Sequence, residues 1–119
     1  MKKPMNPFEV WDVVKVPFPY TNRPIQKHRP ALVIVRTRSR ELPELLWVLM
    51  ITSRENRGWP GDLEIHDLQA TGLPHPSVIR SAKIATIDAD SAERIGRIPE
   101  KEREPVRRAI RERLLGLEI

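Results

Sequence analysis

The sequence predicts a mainly β domain, a small and strongly curved antiparallel sheet or barrel, with a single helix at its C-terminal end. Three observations carry that expectation. Short apolar runs rich in Val and Ile recur along the chain up to residue 98, too short for helices and bounded by turn residues. The 12 prolines fall mostly between those runs, as rigid loops between short strands require. Helical spacing comes only at the end, where Val106, Ile110, Leu114 and Leu115 share one face. Strands first and a helix last, with adjacent strands close in sequence, favour antiparallel pairing.

The elements follow in order. Residues 1–8 hold Lys2, Lys3, Pro4 and Pro7 and read as a poorly ordered lead-in; residues 9–119 read as one domain. Residues 9–16 carry Val10, Val13, Val14 and Val16 and predict a strand that Pro17-Phe18-Pro19 ends. Residues 20–28 form a polar, basic loop. Residues 30–35 (Pro-Ala-Leu-Val-Ile-Val) and 45–51 (Leu-Leu-Trp-Val-Leu-Met-Ile) are continuous apolar runs, as strands buried on both faces should be.

Residues 52–62 read as loop, with Gly58, Pro60 and Gly61 as turn residues, and residues 63–65 as a short strand. A turn at 72–76 leads to extended segments at 77–80 and 83–87, with a bend at Ser81-Ala82. Residues 94–98 close the set of strands. Pro105 suits the first position of a helix, preceded by a short turn over 99–104, and Gly116 suits its C-cap. The alternating charges of residues 101–113 read as a solvated helix face.

Composition narrows the function. There is no cysteine, which removes disulfides and Cys-based zinc sites and suits a reducing compartment. No apolar run reaches the ~18 residues of a membrane helix, and no apolar stretch follows the basic N-terminus. A cytoplasmic protein with no membrane association is expected. A net charge of +5 suits an anionic partner, nucleic acid or acidic protein, while 5% aromatic residues argue against a broad stacking platform.

The two buried runs are consecutive, so a hairpin is the default connection. Pairing their ends sets partner positions whose numbers sum to about 81. Arg29 then faces Thr52, each being the first polar residue beyond its strand, at the same edge of the sheet. A slip of two residues would keep the faces and separate the pair. On the residues alone, the commoner meaning of such positions is a surface ion pair and a turn hydrogen bond.

Several stretches resemble the MazF/PemK toxins. Residues 11–21 (Trp-Asp-Val-Val-Lys-Val-Pro-Phe-Pro-Tyr-Thr) are similar to the family's opening strand and loop, and His28-Arg29-Pro30-Ala31-Leu32-Val33-Ile34 to its Arg-Pro-apolar second strand. Ile51-Thr52-Ser53, Ser77-Val78-Ile79-Arg80, Thr86-Ile87-Asp88 and Gly96-Arg97-Ile98 resemble later segments, in order, over roughly residues 10–115. Three departures stand out. Trp11 occupies a position where the family usually has Gly, Ala82 stands where some members have an acidic residue, and Pro105 interrupts the family's usual smooth helix. Asp12 is read as structural.

The resemblance implies an SH3-like barrel forming a homodimer. It implies cleavage of single-stranded RNA by the RNA's own 2′-hydroxyl, with no metal and no cofactor. It also implies an acidic antitoxin that blocks the site, and DNA binding by the toxin–antitoxin complex. Arg29 and Thr52 are the expected catalytic residues, Arg29 as charge stabiliser, because a planar guanidinium matches phosphate bidentately and is a poor base. His28 is a candidate for proton transfer, with a loop histidine facing water as the alternative. Asn22, Arg23, Lys27, Ser53, Arg80 and Lys83 are candidates for substrate binding, Gln26 for reading a base edge, and Trp59 for stacking. Ser53 serves equally as a turn cap, and Trp11 and Trp47 read as core or dimer surface. The general base stays unassigned. A catalytically silent RNA- or partner-binding module of the same barrel is the second reading, and a gyrase-inhibiting toxin of this fold the third.

Overall fold

A computed structural model describes residues 7–17, 28–37 and 44–115. Six antiparallel strands form one sheet: β1 (Asp12–Pro17), β2 (His28–Arg36), β3 (Leu45–Ser53), β4 (Asp62–Ile65), β5 (Ser77–Asp88) and β6 (Glu93–Arg97). Their spatial order is β4-β5-β3-β2-β1-β6, so the ladder is open and ends on β4 and β6. A short helix, α1 (Leu68–Thr71), follows β4, and α2 (Arg103–Leu115) comes last. The expected antiparallel sheet with a C-terminal helix is therefore present.

The continuous apolar runs are explained by burial on both faces. Val14, Ala31, Val33, Leu46, Val48 and Met50 pack on one side, with Phe8 among them. Val13, Leu32, Leu49, Ile51 and Ile79 pack on the other, beneath Leu73, Ile98 and Val106. Phe8 thus belongs to the core, and Pro7 accepts a hydrogen bond from Arg94 at 2.8 Å. The end of the expected lead-in is tied down, while residues 1–6 lie outside the described residues.

Irregularities in pairing bend the sheet. Along β5, Ile84 faces Leu49 but Arg80 faces Met50, so residues 81–83 bulge out between them. This is the bend expected at Ser81-Ala82. It makes β5 one continuous strand whose first part pairs with both β4 and β3. Ile34 is a second extra residue, between Val33↔Val48 and Val35↔Trp47.

Three local features differ from the sequence reading. The first strand starts at Asp12 rather than residue 9, because residues 9–12 form a turn closed by the Asp12 amide on the Glu9 carbonyl. The second is α1, in a stretch to which the sequence assigns no element. Asp67 caps it by accepting from the Ala70 amide at 2.8 Å, and Gly72 ends it at φ 70 with its Cα against the Ile95 carbonyl. A Cβ there would meet that carbonyl, so glycine is required on two counts. The third is the start of α2 at Arg103, which makes Pro105 its third residue. A first-turn position has no intrahelical acceptor for its N–H, so proline costs little there. Gly116 lies outside the described residues.

Candidate active site

Arg29 and Thr52 reach one place because of the β2–β3 register. Ala31↔Met50, Leu32↔Leu49 and Val33↔Val48 are Cα partners, and their numbers sum to the expected 81. Extending that ladder by two residues sets Arg29 against Thr52, on the face that carries Ala31, Val33, Val48 and Met50. Pro30 favours extended backbone at Arg29, and Arg29 indeed lies in β2, paired with Val16 of β1. The two residues line a small cleft of ≈ 80 Å³ with Met50, Ile51, Arg80 and Lys83. Four of the residues singled out from sequence therefore share one site.

The oxygen of Thr52 has a defined partner. Asn56 Nδ2 donates to Thr52 Oγ1 at 3.0 Å, from the 3-10 turn Arg54–Asn56 that continues β3. Thr52 is thereby an acceptor within the protein, and its O–H remains available to donate elsewhere.

Arg80 lines the same cleft and is heavily engaged. It donates from Nε and Nη2 to the two Asp62 oxygens at 3.2 and 3.1 Å, and from Nη2 to the Asn56 carbonyl at 2.6 Å. The side chains of Arg80 and Asp62 are only 12% and 8% exposed. Burial pushes the Asp62 carboxyl up. Hydrogen bonds from Arg80, the Trp59 amide and the Gly58 amide, with the Arg80 charge, outweigh that and hold it below its usual range. The fork-on-fork geometry of this pair fixes Arg80 in place.

The remaining candidates separate. His28 is exposed at the start of β2, opposite Pro17, and is not among the residues lining the cleft. Ser53 Oγ accepts from the Glu55 amide at 3.4 Å and caps the 3-10 turn. It faces a second, open cleft of ≈ 420 Å³ with Arg54, Arg57 and His75. Asn22, Arg23, Gln26 and Lys27 lie outside the described residues. Among the described residues no three His, Asp or Glu side chains gather where they could hold a metal ion.

The match to a family model decides the kinship: residues 9–114 fit the PemK-like, MazF-like toxin of type II toxin-antitoxin systems. The chain belongs to that family. Solved structures agree on the fold. The toxin MazF-mt6 of Mycobacterium tuberculosis superposes with TM-score 0.65 at 21% identity, covering 91% of this chain and 99% of that one. A MazE–MazF complex from Deinococcus radiodurans gives 0.63 at 21% identity, covering 92% and 96%. A mycobacterial endoribonuclease in complex with its cognate antitoxin gives 0.66 at 16% identity, covering 97% and 99%. No curated protein sequence matches the chain significantly.

Within this PemK/MazF-like chain, Trp11 now has a physical account. Its φ is 83, the left-handed region where glycine is at ease. Its amide donates to the Val33 carbonyl and its own carbonyl accepts from the Ile98 amide, both at 2.9 Å. Its ring packs against the core face and beneath the Arg103 and Arg107 guanidiniums at 5.4 and 5.2 Å. Asp12, fully buried, accepts from the Glu9 amide at 2.8 Å and pairs with Arg94, which ties the first turn to β6. That is the structural role read from the sequence. Asn56 and Asp62 escaped the sequence reading, because both sit in a stretch legible only as loop.

Proposed function

We propose that this toxin is an endoribonuclease that cuts single-stranded RNA without a metal, and that Arg29 and Thr52 carry the chemistry. The observation behind the reading is the shared cleft, where a cation and a hydroxyl donor sit on one face of the β2–β3 hairpin. The endoribonuclease found among its structural neighbours supports the activity.

The substrate's 2′-hydroxyl attacks the adjacent phosphorus. The P–O5′ bond breaks, leaving a 2′,3′-cyclic phosphate and a 5′-hydroxyl. The 2′-hydroxyl gives up its proton to a base that these residues do not identify, and the departing O5′ takes one up. Negative charge grows on the non-bridging oxygens meanwhile. Arg29 meets it with parallel N–H donors and Thr52 with its free O–H, each such donor being worth roughly 2–4 kcal/mol in the transition state. Lys83, half-buried in the same cleft, adds positive potential for the phosphate chain. Arg80, matched by Asp62, acts on the shape of the site more than on its charge. His28 is kept as a proton-transfer candidate for its imidazole alone, since it precedes Arg29 on the strand, where successive side chains point to opposite faces, and stands outside the cleft. Ala82 is exposed in the β5 bulge, so no carboxylate serves from that position.

By the same reading the toxin works in the cytoplasm as a homodimer. Val35, Trp47 and Ile84, exposed on the sheet at 37–42%, suit a protein contact. An acidic, extended antitoxin segment then silences the basic cleft. Among the described residues no helix is long and apolar enough to cross a membrane.

Purified protein incubated with a long single-stranded RNA in EDTA should produce cyclic-phosphate ends, and Arg29→Ala and Thr52→Ala should each lose about thirtyfold or more in rate, the equivalent of one donor worth ~2 kcal/mol. Dependence on added metal would overturn the mechanism. Intact RNA with retained binding would favour the silent module instead.

A further inference from the structure

Trp59 is the most exposed large apolar side chain among the described residues, at 49%. It is also held with unusual firmness for a loop residue. The Asp62 carboxylate accepts from both the Gly58 and Trp59 amides at 3.2 Å, and the Asp62 amide donates back to the Trp59 carbonyl at 3.1 Å. Arg113 donates to the Pro60 carbonyl at 2.9 Å and Ser81 to the Gly61 carbonyl at 2.6 Å. The Arg80 guanidinium then lies over the indole, 4.3 Å from the ring centroid. An exposed indole normally loses rotamer freedom on binding; here its backbone is anchored and one face is already occupied.

The same guanidinium joins the indole to the cleft. Arg80 lines it, and its Nη2 bonds the carbonyl of Asn56, whose side chain holds Thr52. We propose that Trp59 is the stacking platform of a nucleobase subsite, taking the base of a nucleotide that flanks the phosphate seated between Arg29 and Thr52. This rests on the proposed reading of that cleft as an RNA site. The ligand class is a planar base of any identity, because every base has a π-face. Arg80, polarised towards Asp62, holds the ring from one side and the base covers the other. Arg80 contributes little net charge to the phosphate chain, so the subsite reads the presence of a base.

The test separates base from phosphate. A short 2′-O-methyl RNA, which cannot be cut by 2′-attack, is compared with an abasic strand of equal length and charge, using the full chain. Wild type binds the strand with bases about tenfold more tightly than the abasic one, the usual worth of a stacked base. Trp59→Ala and Trp59→Leu lose that discrimination while still binding through phosphates, and Trp59→Phe keeps most of it. Thermal melting establishes that each variant is folded, and the Leu and Phe variants serve if Ala is not. Equal discrimination by wild type, Leu and Phe overturns the stacking role while leaving the RNA reading intact. Failure of wild type to bind either strand overturns both. Unchanged RNA binding together with loss of self-association in Trp59→Ala also overturns it and gives the indole to a protein contact.

Discussion

Thr52 brings one hydroxyl to the cleft, and Asn56 decides which half of it a ligand can use. Because the Asn56 amide donates to Oγ1, the Thr52 proton is left to point elsewhere, which on the proposed reading is towards a phosphate oxygen. Asn56→Asp replaces the donor by a group that only accepts. The Thr52 proton would then turn inward, so kcat should fall about thirtyfold or more, comparable to losing a transition-state donor. Asn56→Ala merely frees the hydroxyl to rotate, and kcat should fall only a few-fold, within about 1 kcal/mol. Single-turnover cleavage by the two variants checks this, and an Ala variant slower than the Asp variant would refute it. Asp62 gives a pH signature at the same scale. Its folded pKa is lowered, so its contribution to stability is present above the unfolded value near 4 and lost as pH falls through the folded value. Removing one partner of a pair this buried costs about 3 kcal/mol. Asp62→Asn should therefore unfold earlier in urea at pH 7, with the gap to wild type closing in acid. A gap independent of pH would show that the carboxylate charge is not involved. Neither Asn56 nor Asp62 could be picked out of the sequence, since a loop's residue types do not reveal which carbonyl or hydroxyl they will meet. That Arg29 and Thr52 meet is legible, because each stands where an apolar run stops, whereas the roles proposed for them come from the family resemblance.

At the scale of elements, what was legible follows the strength of the local signal. β2 and β3 were foreseen because a strand buried on both faces must be apolar at every position, and their register followed from aligning two such runs. β5 was foreseen in two pieces, since Ser81 and Ala82 weaken the β signal where the strand bulges. The short helix α1 was missed because four residues cannot display a period; only Asp67 before it and Gly72 after it mark it. The first turn is hidden for a different reason. Trp11 has strong β propensity, yet the amide and carbonyl it must offer to Val33 and Ile98 place it at φ 83. The left-handed conformation costs a non-glycine residue about 1–2 kcal/mol, offset here by the buried part of the indole. Substitutions should separate the two effects. Trp11→Gly loses the ring and gains backbone ease, whereas Trp11→Ala loses the ring and keeps the strain. Both should be less stable than wild type, with Ala below Gly by about 1 kcal/mol in denaturant melts, the reverse of the usual order. An Ala variant more stable than the Gly variant would mean that the turn relaxes away from positive φ.

Across the whole molecule the question is how much of the +5 charge an RNA strand can feel. Many basic side chains are already answered: Arg80 by Asp62, Arg94 by Asp12, Arg97 by Glu9, Arg107 by Glu104. Of these, the Arg80 pair is nearly buried, so salt scarcely screens it. Binding of single-stranded RNA should weaken with salt along a straight logarithmic line, with a slope of about −0.7 per phosphate neutralised. Arg29→Ala should make that slope shallower by about 0.7, and Lys83→Ala by a similar amount, if each meets one phosphate. Arg80→Gln should leave the slope nearly unchanged even if affinity falls, because the cation it removes is already matched by Asp62. Titrations of 2′-O-methyl RNA over a range of KCl concentrations give the three slopes directly. If Arg80→Gln lowers the slope as much as Arg29→Ala does, then the Asp62 pair opens on binding, and Arg80 joins Arg29 as a phosphate ligand rather than a fixed wall of the cleft.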